Sequence, residues 1–323
     1  MIDRYPGTDT ALLRSAWAVI AHSSIDITEY EDAEFAYTNV LALTPPDDES
    51  RAAIIDGLAA SIYKQAEQAN LLEDYRAAAG HFLRIKDVAP TSNIRAAAEY
   101  DAAAALIKLQ DWEMSARVLE DFREDNPDHD LSADATKQLA FVYHENGQVR
   151  RAAREHERIS IEAVDPELKR EALLTAGELY DKVDVIEDAI RVYEIYVAEY
   201  PFPIDIAMET RSRLAEIFKL QLDYNRYYEE LGEIVAADRE ADTERTDRSR
   251  YLASQAALVL AERTYERFAG LQLTQPFEES LNEKQNHMDV ATAAFEALVN
   301  YEVADVTSAA TYYIAQLYQD FSV

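Results

Sequence analysis

The feature that most constrains this chain is a repeat of 37 residues that is marked by small side chains. Ala78, Ser115, Ala152 and Ala189 follow one another at intervals of 37 residues. A period of about 20 to 50 residues is the sequence signature of an array built by stacking one supersecondary unit. The period therefore predicts a chain in which each unit packs mainly against its neighbours.

Each small residue lies on an apolar helix face that ends just before a proline. Phe82 and Ile85 follow Ala78 after four and seven positions, and the other units repeat these offsets. Spacings of four and three place the side chains on one face of a helix. Proline stops a helix because its ring cannot continue the backbone pattern. The prolines that follow these helices are Pro45, Pro90, Pro127, Pro166 and Pro201.

A second apolar helix face precedes each of these helices. Leu173, Gly177 and Tyr180 lie 16, 12 and 9 residues before Ala189, and related residues precede the other small anchors. Each unit is therefore a pair of helices, a first helix (helix A) and a second helix (helix B). The small residue allows a neighbouring helix to approach closely, and the large residues fill the groove beside it.

These offsets resemble the tetratricopeptide repeat, in which helix A carries W-x3-small-x2-Y and helix B carries A-x3-F-x2-A before a proline. The resemblance is strong over residues 14–201 and weaker beyond residue 220. It implies an all-α fold, a right-handed superhelical solenoid of antiparallel helix pairs with about seven repeats plus a terminal helix. The residues expected to be buried between helices are Tyr143, Ala152, Tyr180 and Ala189.

The repeat pattern divides the chain near residue 240. Residues 1–240 are predicted to form the regular array, and residues 241–323 are predicted to form divergent, elongated repeats that continue the same solenoid. In the divergent part we expect a long helix A over 250–268, an irregular connection over 271–283, a helix B over 287–301 and a last helix over 309–321. Residues 2–6 resemble the tail of a helix B, which predicts either a segment of a longer array or an array closed by a capping helix.

The charge of the chain restricts its partners. Asp and Glu number 62 against 31 Lys and Arg, which gives a formal net charge of -31. Such a surface repels nucleic acid and anionic lipid, so a charged partner is expected to be basic. Acidic excess also keeps a long helical protein soluble, and this is the alternative interpretation. No apolar run reaches the about 18 residues of a membrane span, so no membrane insertion is expected.

No pattern in the sequence indicates an enzyme, a metal site or a cofactor. Cys is absent, and the six histidines form no HExxH pattern. His144 and His156 are each followed by Glu, but no third ligand is indicated, which favours ordinary helix-surface histidines. An arginine cluster at Arg245 and Arg248 alternates with acidic residues, which favours a solvated face over a carboxylate-binding site.

The resemblance also implies a binding surface, because helices A line the concave groove of the tetratricopeptide superhelix. Tyr63, Tyr100 and Phe141 take groove positions and are predicted to form an aromatic strip across three repeats. The alternative is that these rings pack against the next repeat. The full set of predicted partner-binding residues is Tyr63, Tyr100, Lys108, Lys137, Phe141 and His144.

We therefore expect a non-catalytic scaffold that binds a protein or peptide of basic and apolar character. The helix ends with Tyr-Pro and the Tyr-rich repeats are similar in style to bacterial repeat proteins of the periplasm and outer membrane. This similarity predicts a segment of a larger cell-envelope protein located in the periplasm, with the cytoplasm as the alternative. A second hypothesis is a regulatory or substrate-delivery arm of a larger enzyme whose catalytic domain lies outside this chain.

Overall fold

The computed structural model describes residues 9–322, and this part of the chain consists of α-helices joined by short connections, without a β-strand. Two short 3-10 turns, Asp242–Glu244 and Val299–Tyr301, accompany the helices. The predicted helix tail at residues 2–6 lies outside the described residues. The helices are α1 Thr10–Asp26, α2 Tyr30–Ala42, α3 Arg51–Leu71, α4 Tyr75–Val88, α5 Arg95–Lys108, α6 Trp112–Asp125, α7 Ser132–Glu145, α8 Val149–Glu162, α9 Pro166–Lys182, α10 Ile186–Glu199, α11 Ile204–Leu220, α12 Tyr224–Glu240, α13 Asp247–Ala269, α14 Phe277–Leu298 and α15 Ala304–Phe321.

The chain divides into two compact units between residues 172 and 173, within α9. In the first unit each helix from α1 to α8 packs against the next helix of the chain, and in the second unit the same holds from α10 to α15. Helices joined by connections of a few residues pack as antiparallel neighbours. The predicted all-α array of helix pairs, seven pairs followed by a terminal helix, is thus confirmed for the described residues.

A left-handed residue ends helix A in each of the first six pairs. Its φ lies between 56° and 70° in every case. The next residue donates its backbone N–H to a carbonyl five positions earlier, as Asp74 does to Ala69 at 2.9 Å. This is the Schellman arrangement, which satisfies helix-end carbonyls and reverses the chain. The left-handed residues are Thr28, Glu73, Gln110, Gly147, Asp184 and Leu222.

The small anchors of the repeat are buried as the sequence predicts. All five of the first helices B have a fully enclosed small residue at this position: Ala33, Ala78, Ser115, Ala152 and Ala189 are each 0% exposed. Tyr143 and Tyr180 on helices A are also buried. In the sixth pair the same position holds Tyr227, which is buried as well and places a much larger side chain between the helices.

The divergent region differs from the prediction at the starts of two helices. The last helix, α15, begins at Ala304, five residues before the predicted start at residue 309. The long helix α13 lies where it was expected, but α14 begins at Phe277, ten residues before the predicted start at residue 287. The predicted irregular connection over 271–283 is therefore wrong for its second half. Glu278 and Glu279 lie in the first turn of α14, where negative charge favours a helix because of the helix dipole. This acidic first turn is the helix-start signal that the sequence contains at this point.

The arginine cluster before α13 is only partly a solvated face. Arg248 pairs with Glu209 at 2.9 Å, and both side chains are about half exposed. Arg245 instead binds the carboxylate of Asp238, which is only 2% exposed. Asp238 lies on α12, outside the sequence cluster, so the local charge pattern gave no sign of this buried pair.

Two glycines mark close approaches between helices, and two others do not. A Cβ built on Gly57 lies 2.5 Å from the ring of Tyr37, and one built on Gly177 lies 2.6 Å from the ring of Tyr193. Contacts this short require the aromatic ring to shift. Gly80 and Gly232 lie in helices too, but a Cβ added there meets nothing within 4 Å.

Within each unit, we therefore expect glycine-to-alanine substitutions at the two kinds of position to change the free energy of unfolding in opposite directions. Gly57→Ala and Gly177→Ala are expected to lower the free energy of unfolding by about 1–3 kcal/mol through overpacking. Gly80→Ala and Gly232→Ala are expected to raise it by about 0.5–1 kcal/mol, because alanine loses less backbone entropy in a helix. Urea unfolding followed by circular dichroism measures all four. Equal effects of Gly57→Ala and Gly80→Ala would contradict the close approach of Gly57 to Tyr37.

Candidate functional site

Polar side chains join three consecutive helices A of the first unit, α3, α5 and α7. The hydroxyl of Tyr63 on α3 donates to the carboxylate of Asp101 on α5. One repeat further, the side-chain amide of Gln138 on α7 donates to the hydroxyl of Tyr100 on α5 at 2.5 Å. These contacts bring the predicted binding positions of α3, α5 and α7 onto neighbouring stretches of one surface, here called the helix-A face.

Tyr63 and Tyr100 are integrated into this surface and do not project from it. Both are half-buried, and their rings lie 5.0 Å from Phe82 and 6.0 Å from Phe122 respectively. Burial raises the pKa of both phenols, and in Tyr63 the bond to Asp101 raises the pKa further. The two tyrosines therefore hold neighbouring repeats together, and each offers only part of its ring to a partner.

Phe141 is the aromatic side chain of this set that is open to solvent. It is 49% exposed, and its ring packs against Trp112 with the ring centroids 5.9 Å apart. The contact is nearly perpendicular, at 84°. An apolar ring that is held by a neighbour and exposed on one side can bury its free face against a partner at low entropic cost. The three rings of the predicted aromatic strip therefore differ in accessibility, and Phe141 is the most exposed of them.

The predicted polar positions are all exposed. Lys108 ends α5, Lys137 pairs with Asp134 at 3.0 Å, and His144 lies 3.4 Å from the carboxylate of its neighbour Glu145. Exposed pairs of this kind contribute little to stability. These side chains are therefore free to exchange their present contacts for a partner without loss of the fold.

A cavity in the second unit occupies the corresponding place between two helices A. It has a volume of about 280 Å³ and lies between α11 and α13, with α12 beneath it. Ser212, Glu216 and Lys219 of α11 line it, and Tyr227 forms part of its floor. These three α11 residues lie 15, 11 and 8 positions before Tyr227, the same offsets that place Lys137, Phe141 and His144 before Ala152. The sequence frame could have found them, had it been extended to this pair.

No helix within residues 9–322 is long and apolar enough to cross a bilayer. In the same described part of the chain, no three His, Asp or Glu side chains converge as metal ligands would. His156 is half-buried, and burial lowers its pKa, so it is not the surface histidine that the sequence suggested.

No family profile matches the chain. No curated protein sequence matches it either. Among solved structures it is similar to a tetratricopeptide repeat protein from Parabacteroides merdae, with 11% identity, coverage of 95% of this chain and 99% of the other, and a TM-score of 0.34. It is also similar to MamA from Desulfovibrio magneticus, with 16% identity, coverage of 65% and 97%, and a TM-score of 0.34.

The assignment of the fold rests on this chain's own features. They are the buried small anchors at intervals of 37 residues, the left-handed turn at the helix-A end of the first six pairs and the packing of helix pairs in chain order. These features give the described residues the fold of paired antiparallel helices that the repeat predicts.

Proposed function

We propose that the chain is a non-catalytic scaffold that holds a segment of another protein on the helix-A face of the first unit. The observation that carries this proposal is the half-exposed ring of Phe141 on helix A α7, which packs against Trp112 at the start of α6. Aromatic anchors of this kind supply a large share of the binding energy in protein interfaces. Exposed Lys137 and His144 beside it provide polar contacts at the rim.

The partner segment is basic and carries an apolar side chain that covers Phe141. Two features support this chemistry. The formal net charge of -31 attracts cationic segments over distances set by the ionic strength. Acidic side chains such as Glu67 and Glu145 also lie close to the predicted binding positions, and both are about 40% exposed, which allows them to pair with Lys or Arg of a partner.

We further propose that this scaffold works in the bacterial cell envelope as part of a larger protein. The support is the style of the repeats, with Tyr-rich units and Tyr-Pro helix ends. Fractionation of the source cells, followed by detection with an antibody against this chain, tests the location. Recovery with periplasmic or envelope markers is the expected result, and recovery with cytoplasmic markers would overturn this part of the proposal.

Replacement of Phe141 by alanine is expected to weaken partner binding about tenfold or more, because the ring acts as an anchor. Phe35 provides a matched control. It is 62% exposed and also packs edge-on against a tryptophan, Trp17, but it lies on a helix B. A partner captured from the source organism is titrated against the parent chain, Phe141→Ala and Phe35→Ala, and only Phe141→Ala is expected to lose affinity.

The same titration at increasing salt tests the charge of the partner. The Debye length falls from about 30 Å at 0.01 M to about 8 Å at 0.15 M, so the affinity is expected to fall steeply over this range. Salt mainly slows association, whereas loss of the Phe141 ring mainly speeds dissociation. A partner that binds equally well at both salt concentrations would contradict the electrostatic part of the proposal.

A further inference from the structure

The second unit contains another cavity, to which the two helices B α10 and α12 contribute. It has a volume of about 400 Å³ and lies between the end of α10, the first half of α11 and the last half of α12. The volume falls within the about 300–1,000 Å³ that is typical of ligand-binding pockets. We call it the B-side cavity.

Short side chains of α12 leave space in the middle of the B-side cavity, and the longer side chains that α12 contributes are both acidic. Ala236 and Ala237 face the space, and Met208 of α11, fully buried, forms its floor. Phe202 stands at the edge and is 52% exposed. Nine of the twelve lining residues are apolar, so the interior suits an apolar side chain.

The three charged residues of the cavity give its rim a negative charge. Arg211 is already neutralised, because it lies 2.9 Å from Glu230 and 3.5 Å from Glu233. Glu233 is nevertheless 55% exposed, and Glu240 is exposed and forms no ion pair with any described residue. The rim therefore has two carboxylates for one cation, a charge pattern that complements Lys or Arg.

We propose that the B-side cavity is a second docking point, which takes a large apolar side chain from a protein segment with basic residues on either side. The apolar side chain enters between Met208 and the two alanines, and the flanking cations pair with Glu233 and Glu240. Burial of a Phe-sized side chain supplies most of the affinity, and the carboxylates select the basic flanks. This docking point is separate from the helix-A face and does not depend on it.

Methionine signals allow a direct test with the full chain. The sequence contains only four methionines, and Met208 is the one that lines the cavity. The chain is labelled with 13C at the methionine methyl groups and titrated with three capped tripeptides: Lys-Phe-Lys, Lys-Ala-Lys and Glu-Phe-Glu. Met114 lies on α6 in the first unit and is 39% exposed, so its signal reports non-specific binding.

We expect Lys-Phe-Lys to shift the Met208 signal in a saturable manner and to leave the Met114 signal in place. The other two peptides are expected to bind about tenfold more weakly or not at all, since each lacks either the aromatic ring or the cations. Glu240→Lys changes an exposed side chain and is expected to weaken Lys-Phe-Lys without loss of the fold. Ala237→Trp fills the cavity and is expected to abolish the shift.

Three outcomes would overturn the proposal. They are a Met208 signal that Lys-Phe-Lys does not move, equal responses to all three peptides, and an unchanged affinity in Glu240→Lys. The Phe141→Ala variant keeps the cavity intact and is expected to retain the Met208 response. Failure of the helix-A face and failure of the B-side cavity are therefore distinguishable.

Discussion

Replacement of Arg245 by alanine is expected to lower the free energy of unfolding of the second unit by about 3 kcal/mol or more. The Nε atom of Arg245 lies 3.0 Å from one carboxylate oxygen of Asp238, and its terminal nitrogen lies 2.7 Å from the other. Asp238 is 2% exposed, and its remaining hydrogen bond comes from the hydroxyl of Ser249 at 2.9 Å. Without Arg245 a buried negative charge is left with one neutral donor.

Two variants separate this effect from a general loss of surface charge. Arg248→Ala removes the exposed pair with Glu209 and is expected to cost about 1 kcal/mol or less. Asp238→Asn keeps a polar group that can bond Ser249. It also leaves Arg245 able to reach water, because that side chain is 36% exposed. Asp238→Asn is therefore expected to lower the free energy of unfolding by less than Arg245→Ala does. Urea unfolding provides the comparison. Equal stabilities of Arg245→Ala and Arg248→Ala would contradict the burial of this pair.

Replacement of Glu99 by leucine is expected to stabilise the first unit by about 1–4 kcal/mol at neutral pH. Glu99 is 3% exposed, and neither carboxylate oxygen forms a hydrogen bond. Its nearest cations, Lys86 and Arg95, lie 3.7 Å and 3.6 Å away. Both also lie near Asp125, so removal of Glu99 leaves neither cation without an acidic neighbour.

The repeat itself supports leucine at this position. Glu99 lies 16 residues before the anchor Ser115, and the same offset holds apolar residues in three other pairs, namely Trp17, Ile62 and Leu173. A carboxylate at this offset is therefore a local departure from the packing pattern. Glu113 is a suitable control, since its side chain is 71% exposed and Glu113→Leu is expected to change stability by about 0.5 kcal/mol or less.

The stabilisation by Glu99→Leu is expected to depend on pH. Burial raises the pKa of Glu99 above the usual value of 4.5, so the folded state binds a proton more readily than the unfolded state. Protonation of Glu99 therefore contributes stability that is fully present below the pKa of Glu99 in the unfolded state. This contribution is lost as the pH rises through the pKa of Glu99 in the folded state. The advantage of leucine is therefore largest at neutral pH and shrinks toward pH 4. A difference that stays constant between these pH values would contradict burial of an ionised Glu99.

The regular part of the fold was predictable because its signals are local and repeated. Ala152, Ala189, Tyr143 and Tyr180 are buried as the offsets predict, since one packing solution recurs in each pair. The start of α14 was missed because the helix begins far from the repeat pattern, with only its acidic first turn as a signal.

The exposure of the predicted binding residues depends on contacts with residues of the same chain that are distant in sequence. Tyr63 and Tyr100 bind Asp101 and Gln138, each 38 residues further along the chain, so a search for polar residues at that interval could have indicated their structural role. The B-side cavity gave no sequence signal, because it arises from short alanine side chains opposite the end of another helix.

The most direct test of the scaffold proposal maps where the partner lies on the chain. The photo-reactive residue p-benzoylphenylalanine is placed at position 141 on the helix-A face, or at position 35 on helix B as the matched control. After irradiation of the complex, the proposal predicts covalent partner adducts from position 141 and none from position 35. A complex that forms normally, yet gives adducts only from position 35 or from neither position, would contradict binding on the helix-A face.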